Sequence, residues 1–188
     1  MIIYLSSIPI LITLSLLYGS SMKMADLFNE HGVREWFKGA IIMMGILWGL
    51  FGALLIISNI YVANLVMAMV LAFIVRMRID YWNHAIATVI IIITFLFTQT
   101  IEPTSFITFF LVFSIFGAMK DYFGDKVRDH SFVHIISELA WYYVIPTLIY
   151  SYVTGIWEVF IVGTVYIIAY NLVKYYMEED FKKLFRKY

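Results

Sequence analysis

Residues 40–79, AIIMMGILWGLFGALLIISNIYVANLVMAMVLAFIVRMRI, carry no charged side chain until Arg76 and Arg78 close the stretch. A helix needs about 20 apolar residues to cross a hydrocarbon layer roughly 30 Å thick. The stretch is nearly twice that long and Ser58-Asn59 interrupts it, so it reads as two spans, 40–58 and 60–79, joined by a tight turn.

The same pattern recurs on either side, at about 2–20, 85–101, 104–120, 134–152 and 155–176. The expected fold class is an all-α integral membrane protein, a single transmembrane domain over residues 1–188 built as one bundle of seven helices. Composition agrees. The 188 residues are 63% hydrophobic and 14% charged, whereas roughly a quarter of the residues of a soluble domain are charged. Seven spans leave no length for a separate soluble domain. Met-Ile-Ile-Tyr at the start has no basic region and no cleavage pattern after the apolar run, which reads as a retained helix rather than a signal peptide.

All 13 Lys and Arg fall in alternate connections: Lys23, Arg34 and Lys38; Arg76 and Arg78; Lys120, Lys126 and Arg128; and Lys174 with the tail bases. The turns at Ser58-Asn59, Glu102-Pro103-Thr104-Ser105 and Thr154-Gly155 carry none. Basic residues are retained on the cytoplasmic side, so the expected orientation is N-terminus outside, C-terminus inside, in the cell membrane. The net charge of zero and a pI near 6.9 give no reason to expect nucleic acid as a partner. Membrane lipids are the expected partners, with a homo-oligomer or a membrane complex left open. The absence of cysteine excludes disulfides, thiolate zinc sites and iron–sulfur clusters, so any metal must sit on His, Asp or Glu.

Residues 21–39 alternate apolar Met22, Met24, Ala25, Leu27, Phe28, Val33, Trp36 and Phe37 with charged Lys23, Asp26, Glu30, Arg34, Glu35 and Lys38. That pattern predicts a short interfacial helix after the first span, lying in the headgroup plane and broken at Gly32. It would serve as a connector or, alternatively, as a lid guiding substrate. The tail from Met177 has the same character. Gly45, Gly49 and Gly52 put small residues on one side of the second span, suited to close helix packing. Pro146 predicts a kink in the sixth span. The aromatic residues are too widely spread to mark a site, and no internal repeat points to an inverted-repeat transporter.

The polar chemistry gathers at the basic ends of the third, fifth and sixth spans. Asp80 and His84 follow Arg76 and Arg78; Asp121, Asp125 and Asp129 follow Lys120 at helical spacing; His134 and Glu138 open the sixth span. Carboxylates four apart stack on one helix face and repel unless a cation neutralises them. Asp80, His84, Asp121 and Asp125 are therefore the expected ligands of a divalent metal, Mg, Mn or Zn. Arg76, Arg78 and Lys120 would bind the phosphate of a substrate, and His134 and Glu138 would move its proton. The run of aspartates at Lys120-Asp121, Gly124-Asp125 and Asp129 resembles the aspartate motifs of the UbiA family of intramembrane prenyltransferases. That resemblance implies Mg²⁺ and a prenyl diphosphate held at the cytoplasmic end of a helical bundle. It covers about ten residues; the family has more spans and a second aspartate motif, for which this chain offers only Asp80, Asn83 and His84.

The expected function is an intramembrane, metal-dependent transferase or hydrolase acting on a lipid-linked or phosphate-bearing amphiphile at the cytoplasmic face. The alternatives are a non-catalytic membrane subunit or lipid-binding scaffold, a cation or small-solute transporter, for which Asn64 and Asn171 are the mid-span polar groups, and a haem protein using His84 with His130 or His134.

Overall fold

The computed structural model describes residues 6–30, 33–124 and 141–185, apart from the side chains of residues 30, 123, 124 and 178–185. Every regular element among them is helical: α1 (Ile8–Glu30), α2 (Ala40–Ser58), α3 (Ile60–Val75), α4 (Trp82–Thr98), α5 (Pro103–Gly124), α6 (Trp141–Thr154) and α7 (Trp157–Phe185). Four of these, α1, α2, α5 and α7, are long and apolar enough to cross a membrane, and α3 and α4 are shorter apolar helices. Large apolar side chains such as Leu96 and Phe97 on α4 and Ile107, Leu111 and Ile115 on α5 face outward. A bundle surrounded by hydrocarbon has no reason to bury them, so the all-helical architecture is compatible with a membrane protein.

Several boundaries move from their expected places. The third span stops at Val75 rather than 79, α4 covers 82–98 rather than 85–101, and α7 runs on to Phe185. Helix α6 passes through Pro146 without interruption. Gly32, Asp125, Asp129, His130, His134 and Glu138 lie outside the described residues.

The expected interfacial helix is not a separate element. Residues 21–30 are the last turns of α1, and residues 33–37 are not helical. The physical reason is that the charges of this segment find partners inside the bundle. The Lys23 ammonium lies 5.0 Å from the centre of the Tyr170 ring, and Tyr170 donates its hydroxyl proton to Asp26 at 2.7 Å. Met22, Met24, Ala25, Leu27 and Phe28 are buried around them. Over residues 22–28 the alternating pattern thus packs inside, because Lys23 and Asp26 are satisfied by α7 and α4 instead of by headgroups and water, whereas Arg34, Trp36, Phe37 and Lys38 stay exposed.

Helix α2 packs mainly on α4, and α1 on both α7 and α2, while α3 packs on α5. The glycine row of α2 makes its contact possible. A Cβ at Gly45 would overlap the backbone of Asn83, and one at Gly52 would press on Ile91 and Tyr18. The row serves helix packing, as its spacing predicts.

The end of the bundle formed by the short turns is closed largely by neutral side-chain amides bonded to the backbone. Asn59 caps α3 by accepting from the Tyr61 N–H at 2.8 Å. Asn64 is wholly buried; its amide donates to Ile60 and Thr100 carbonyls and accepts from the Glu102 N–H. Gln99 donates to the Ile56 carbonyl at 2.9 Å. Asn64 lies one turn from the start of α3, so it stitches a turn and does not line a path through the middle of the bundle.

Candidate functional site at the basic end

Helix α3 ends in a reversal that sets the site. The Met77 N–H reaches the Ile74 carbonyl and the Arg78 N–H reaches the Phe73 carbonyl, with Met77 itself left-handed at φ 56°. This is the Schellman arrangement, in which glycine normally takes the left-handed position. A methionine there is strained by about 1–2 kcal/mol, and its side chain is exposed, so packing does not compensate. The reversal carries Arg76 and Arg78, two residues apart, to one acceptor on α5. Arg76 donates Nε and Nη2 to Asp121 Oδ2 at 2.9 and 2.7 Å, and Arg78 donates Nη2 to Asp121 Oδ1.

A second polar group is built from α1, α4 and α7. His84 places Nε2 3.1 Å from Asp26 Oδ1 and Nδ1 3.4 Å from Asp80 Oδ1. Asp26 and His84 are buried, while Asp80 is at the surface. The imidazole is fixed edge-on to the rings of Trp48 and Tyr81. Its helix start is pinned to α1 through Asn83, which accepts from Asn29 at 2.7 Å and donates to the Ala25 carbonyl at 3.3 Å. Ionisable groups inside a membrane bundle are costly and usually functional.

The two groups share one cavity of about 170 Å³. Arg76, Arg78, Lys120 and Asp121 line it together with Asp26 and His84, and Tyr142, Tyr143, Tyr166 and Tyr170 complete the wall. Positive charge, a carboxylate–imidazole pair and phenol hydroxyls therefore meet in one space open at the basic end. Such a cavity can bind an anion and move a proton beside it.

The expected phosphate-binding residues Arg76, Arg78 and Lys120 are brought together. Asp80 and His84 touch, as expected, but Asp121 does not join them as a ligand set, because its two oxygens are taken by arginines. Among the described residues no group of three His, Asp or Glu converges on a point that a metal ion could occupy. His84 explains why: Asp26 and Asp80 approach opposite nitrogens of one ring, which keeps the carboxylates apart. Asp125, His134 and Glu138 lie outside the described residues, so the expected metal and the expected proton-moving pair gain no geometry here. Lys23, Asp26 and the cavity tyrosines were not singled out by sequence reasoning for the site. The available signal was that α1 continues from Tyr18 to Phe28 without a proline, carrying two charges among apolar neighbours.

No family model, curated protein or solved structure matches this chain. The UbiA resemblance therefore rests on the aspartate run alone, and in that run Asp121 is an arginine partner.

Proposed function

We propose that this chain is a multi-pass enzyme of the cell membrane that transfers or hydrolyses the headgroup of a phosphate-bearing amphiphile. The basic end faces the cytoplasm, with the N-terminus outside. The observation that carries this reading is that three cations and a buried Asp26–His84 pair share one cavity. Guanidinium groups suit phosphate because their planar forks give paired, charge-assisted hydrogen bonds. The volume of about 170 Å³ is below the roughly 300–1,000 Å³ of pockets that enclose whole drug-sized ligands. It suits a headgroup whose chains remain in the surrounding hydrocarbon. His84, oriented by Asp26, is the group placed to take or give the proton of that reaction. A divalent metal has no ligand set among the described residues and no step is assigned to it.

The test is turnover of the full-length protein in lipid nanodiscs against phosphatidic acid and a prenyl diphosphate, read as released phosphate or diphosphate, with and without chelator. His84→Gln and Asp26→Asn are each expected to lower turnover at least tenfold while leaving amphiphile binding in place. Undiminished turnover in both variants removes the catalytic assignment, and absence of amphiphile binding to the parent removes the whole reading. Because the chain has no cysteine, single cysteines at Lys38 and Thr154 report the orientation cleanly through labelling by an impermeant maleimide.

A further inference from the structure

We infer that Asp121 occupies the phosphate subsite itself: its carboxylate stands between Arg76 and Arg78 where the phosphate of a headgroup binds, and the arriving phosphate displaces it. This rests on the headgroup-binding reading above and adds the exact pair of donors and the residue that competes for them.

Geometry supports it first. Each carboxylate oxygen of Asp121 is held by a different guanidinium, Oδ2 by Arg76 and Oδ1 by Arg78. Two oxygens of a phosphate group can bridge the same donors, leaving further oxygens free for Lys120, which lines the same cavity.

Arg76 keeps its place without Asp121. Its guanidinium fills the space left by Gly117, where a Cβ would overlap it, and it lies 5.9 Å from the centre of the Phe73 ring. Its side chain is only 8% exposed. The Nη1 atom is buried and has no hydrogen-bond partner among the described residues. A buried cationic donor left unsatisfied is costly. Nη1 lies against Gly117 and stays there, so the exchange takes place at the Nε–Nη2 edge that holds Asp121, where a phosphate brings more acceptor oxygens than a carboxylate.

The other two members of the group can move. The Arg78 side chain is 48% exposed and that of Asp121 is 25% exposed. Asp121 can turn toward water while the buried arginine stays fixed. Charge favours the exchange as well, since Arg76, Arg78 and Lys120 set three positive charges against the single negative charge of Asp121 on the wall shared by α3 and α5. A phosphate carrying up to two negative charges balances that wall better than one carboxylate does.

The test measures binding of inorganic phosphate and of dihexanoyl-phosphatidic acid to the full-length protein in detergent by isothermal titration calorimetry. Asp121→Asn removes the competing charge and is expected to tighten binding by at least fivefold. Arg78→Gln, at the exposed side of the fork, is expected to weaken it by a similar factor. Tighter binding of both probes by Asp121→Asn identifies the phosphate group itself as the ligand; a gain confined to one probe assigns the subsite to a lipid headgroup or to free phosphate, and supports the displacement in either case. If the parent binds and Arg78→Gln weakens binding while Asp121→Asn gives unchanged or weaker binding, Asp121 only positions the arginines and this inference is overturned with the headgroup reading intact. If neither probe binds the parent, both are overturned. Should Asp121→Asn not fold, the parent protein supplies the answer through carboxylate footprinting with a diazo reagent. Labelling of Asp121 is expected to rise on phosphate addition, and unchanged or reduced labelling overturns the displacement.

Discussion

At the turn end Asn64 commits both halves of its amide to the backbone around residues 99–102, and Gln99 and Asn59 likewise bond to backbone groups. At the basic end Arg76 binds a carboxylate through two nitrogens and keeps a third buried without a partner among the described residues. The two ends use polar side chains for different purposes. Neutral amides paired with backbone carbonyls and N–H groups leave little to be gained by rearrangement, so that end behaves as a clasp. Charged groups around a cavity, held by a left-handed methionine and only partly satisfied, remain open to a ligand. Strain and unsatisfied donors are tolerated at one end because the other end and the packed helices supply the stability.

The largest expected effect follows from removing the arginine that anchors the open end. Arg76→Ala leaves Asp121 with Arg78 alone and empties the slot beside Gly117. Breaking one partner of a buried ion pair costs about 3–5 kcal/mol. The lower part of that range is expected because Asp121 is partly exposed. Thermal unfolding in detergent, followed by tryptophan fluorescence, checks it. An unchanged midpoint would mean that the fork behaves as a solvated surface pair, worth under about 1 kcal/mol, and the contrast between the ends would collapse.

Asn64→Ala sharpens the comparison from the other side. The substitution strands the Glu102 N–H and the Thr100 carbonyl of a closed turn. Neither Thr100 nor Glu102 is buried, so water takes over part of these bonds and the cost is that of an ordinary hydrogen bond, about 0.5–1.5 kcal/mol. Stability is expected to fall by about 1 kcal/mol with no change in phosphate binding at the basic end. A parallel loss of phosphate affinity would show that the two ends are coupled, and that the clasp is part of the site.

Spans and charge were legible in the sequence because both are properties of short stretches taken alone. The uncharged run from Ala40 to Val75 announces two helices, and the grouping of Arg76, Arg78 and Lys120 follows from which helix ends carry bases. Asp26 was misplaced because its environment depends on Tyr170 and His84, which are far away in the chain. With those partners α1 continues inward; without them the same residues suit a membrane surface. The spacing of Asp121 to Asp125 suggests that Asp121 is a metal ligand. Its actual partners arrive through the reversal at Met77, and a methionine gives no warning of a left-handed turn that usually announces itself by glycine. Asn64 has the look of a mid-span polar group in the sequence because its partners, the Thr100 carbonyl and the Glu102 N–H, lie 36 and 38 residues further along the chain.

The smallest expected effect probes the clasp through pH. Glu102 precedes Pro103, the first residue of α5, and accepts from the Ser105 N–H at 2.7 Å and the Thr104 N–H at 3.3 Å. Its hydrogen bonds with Ser105, from the hydroxyl and then the backbone, hold its carboxyl below the ordinary glutamate value, with Thr104 adding to them. These bonds favour the ionised form in the folded chain. The group therefore contributes its stability above the unfolded value of about 4.3, and loses it as pH falls through the lower folded value. Glu102 is at the surface, so the effect is modest, and Glu102→Gln is expected to cost about 0.5 kcal/mol at neutral pH, the low end for helix caps. The difference in unfolding midpoint between the parent and Glu102→Gln should shrink toward zero as pH is lowered from 6 to about 3. A difference that persists at low pH would mean that the amide fails to replace the carboxylate for reasons of shape rather than charge. The clasp would then be indifferent to protonation, and ionised groups would matter at the basic end alone.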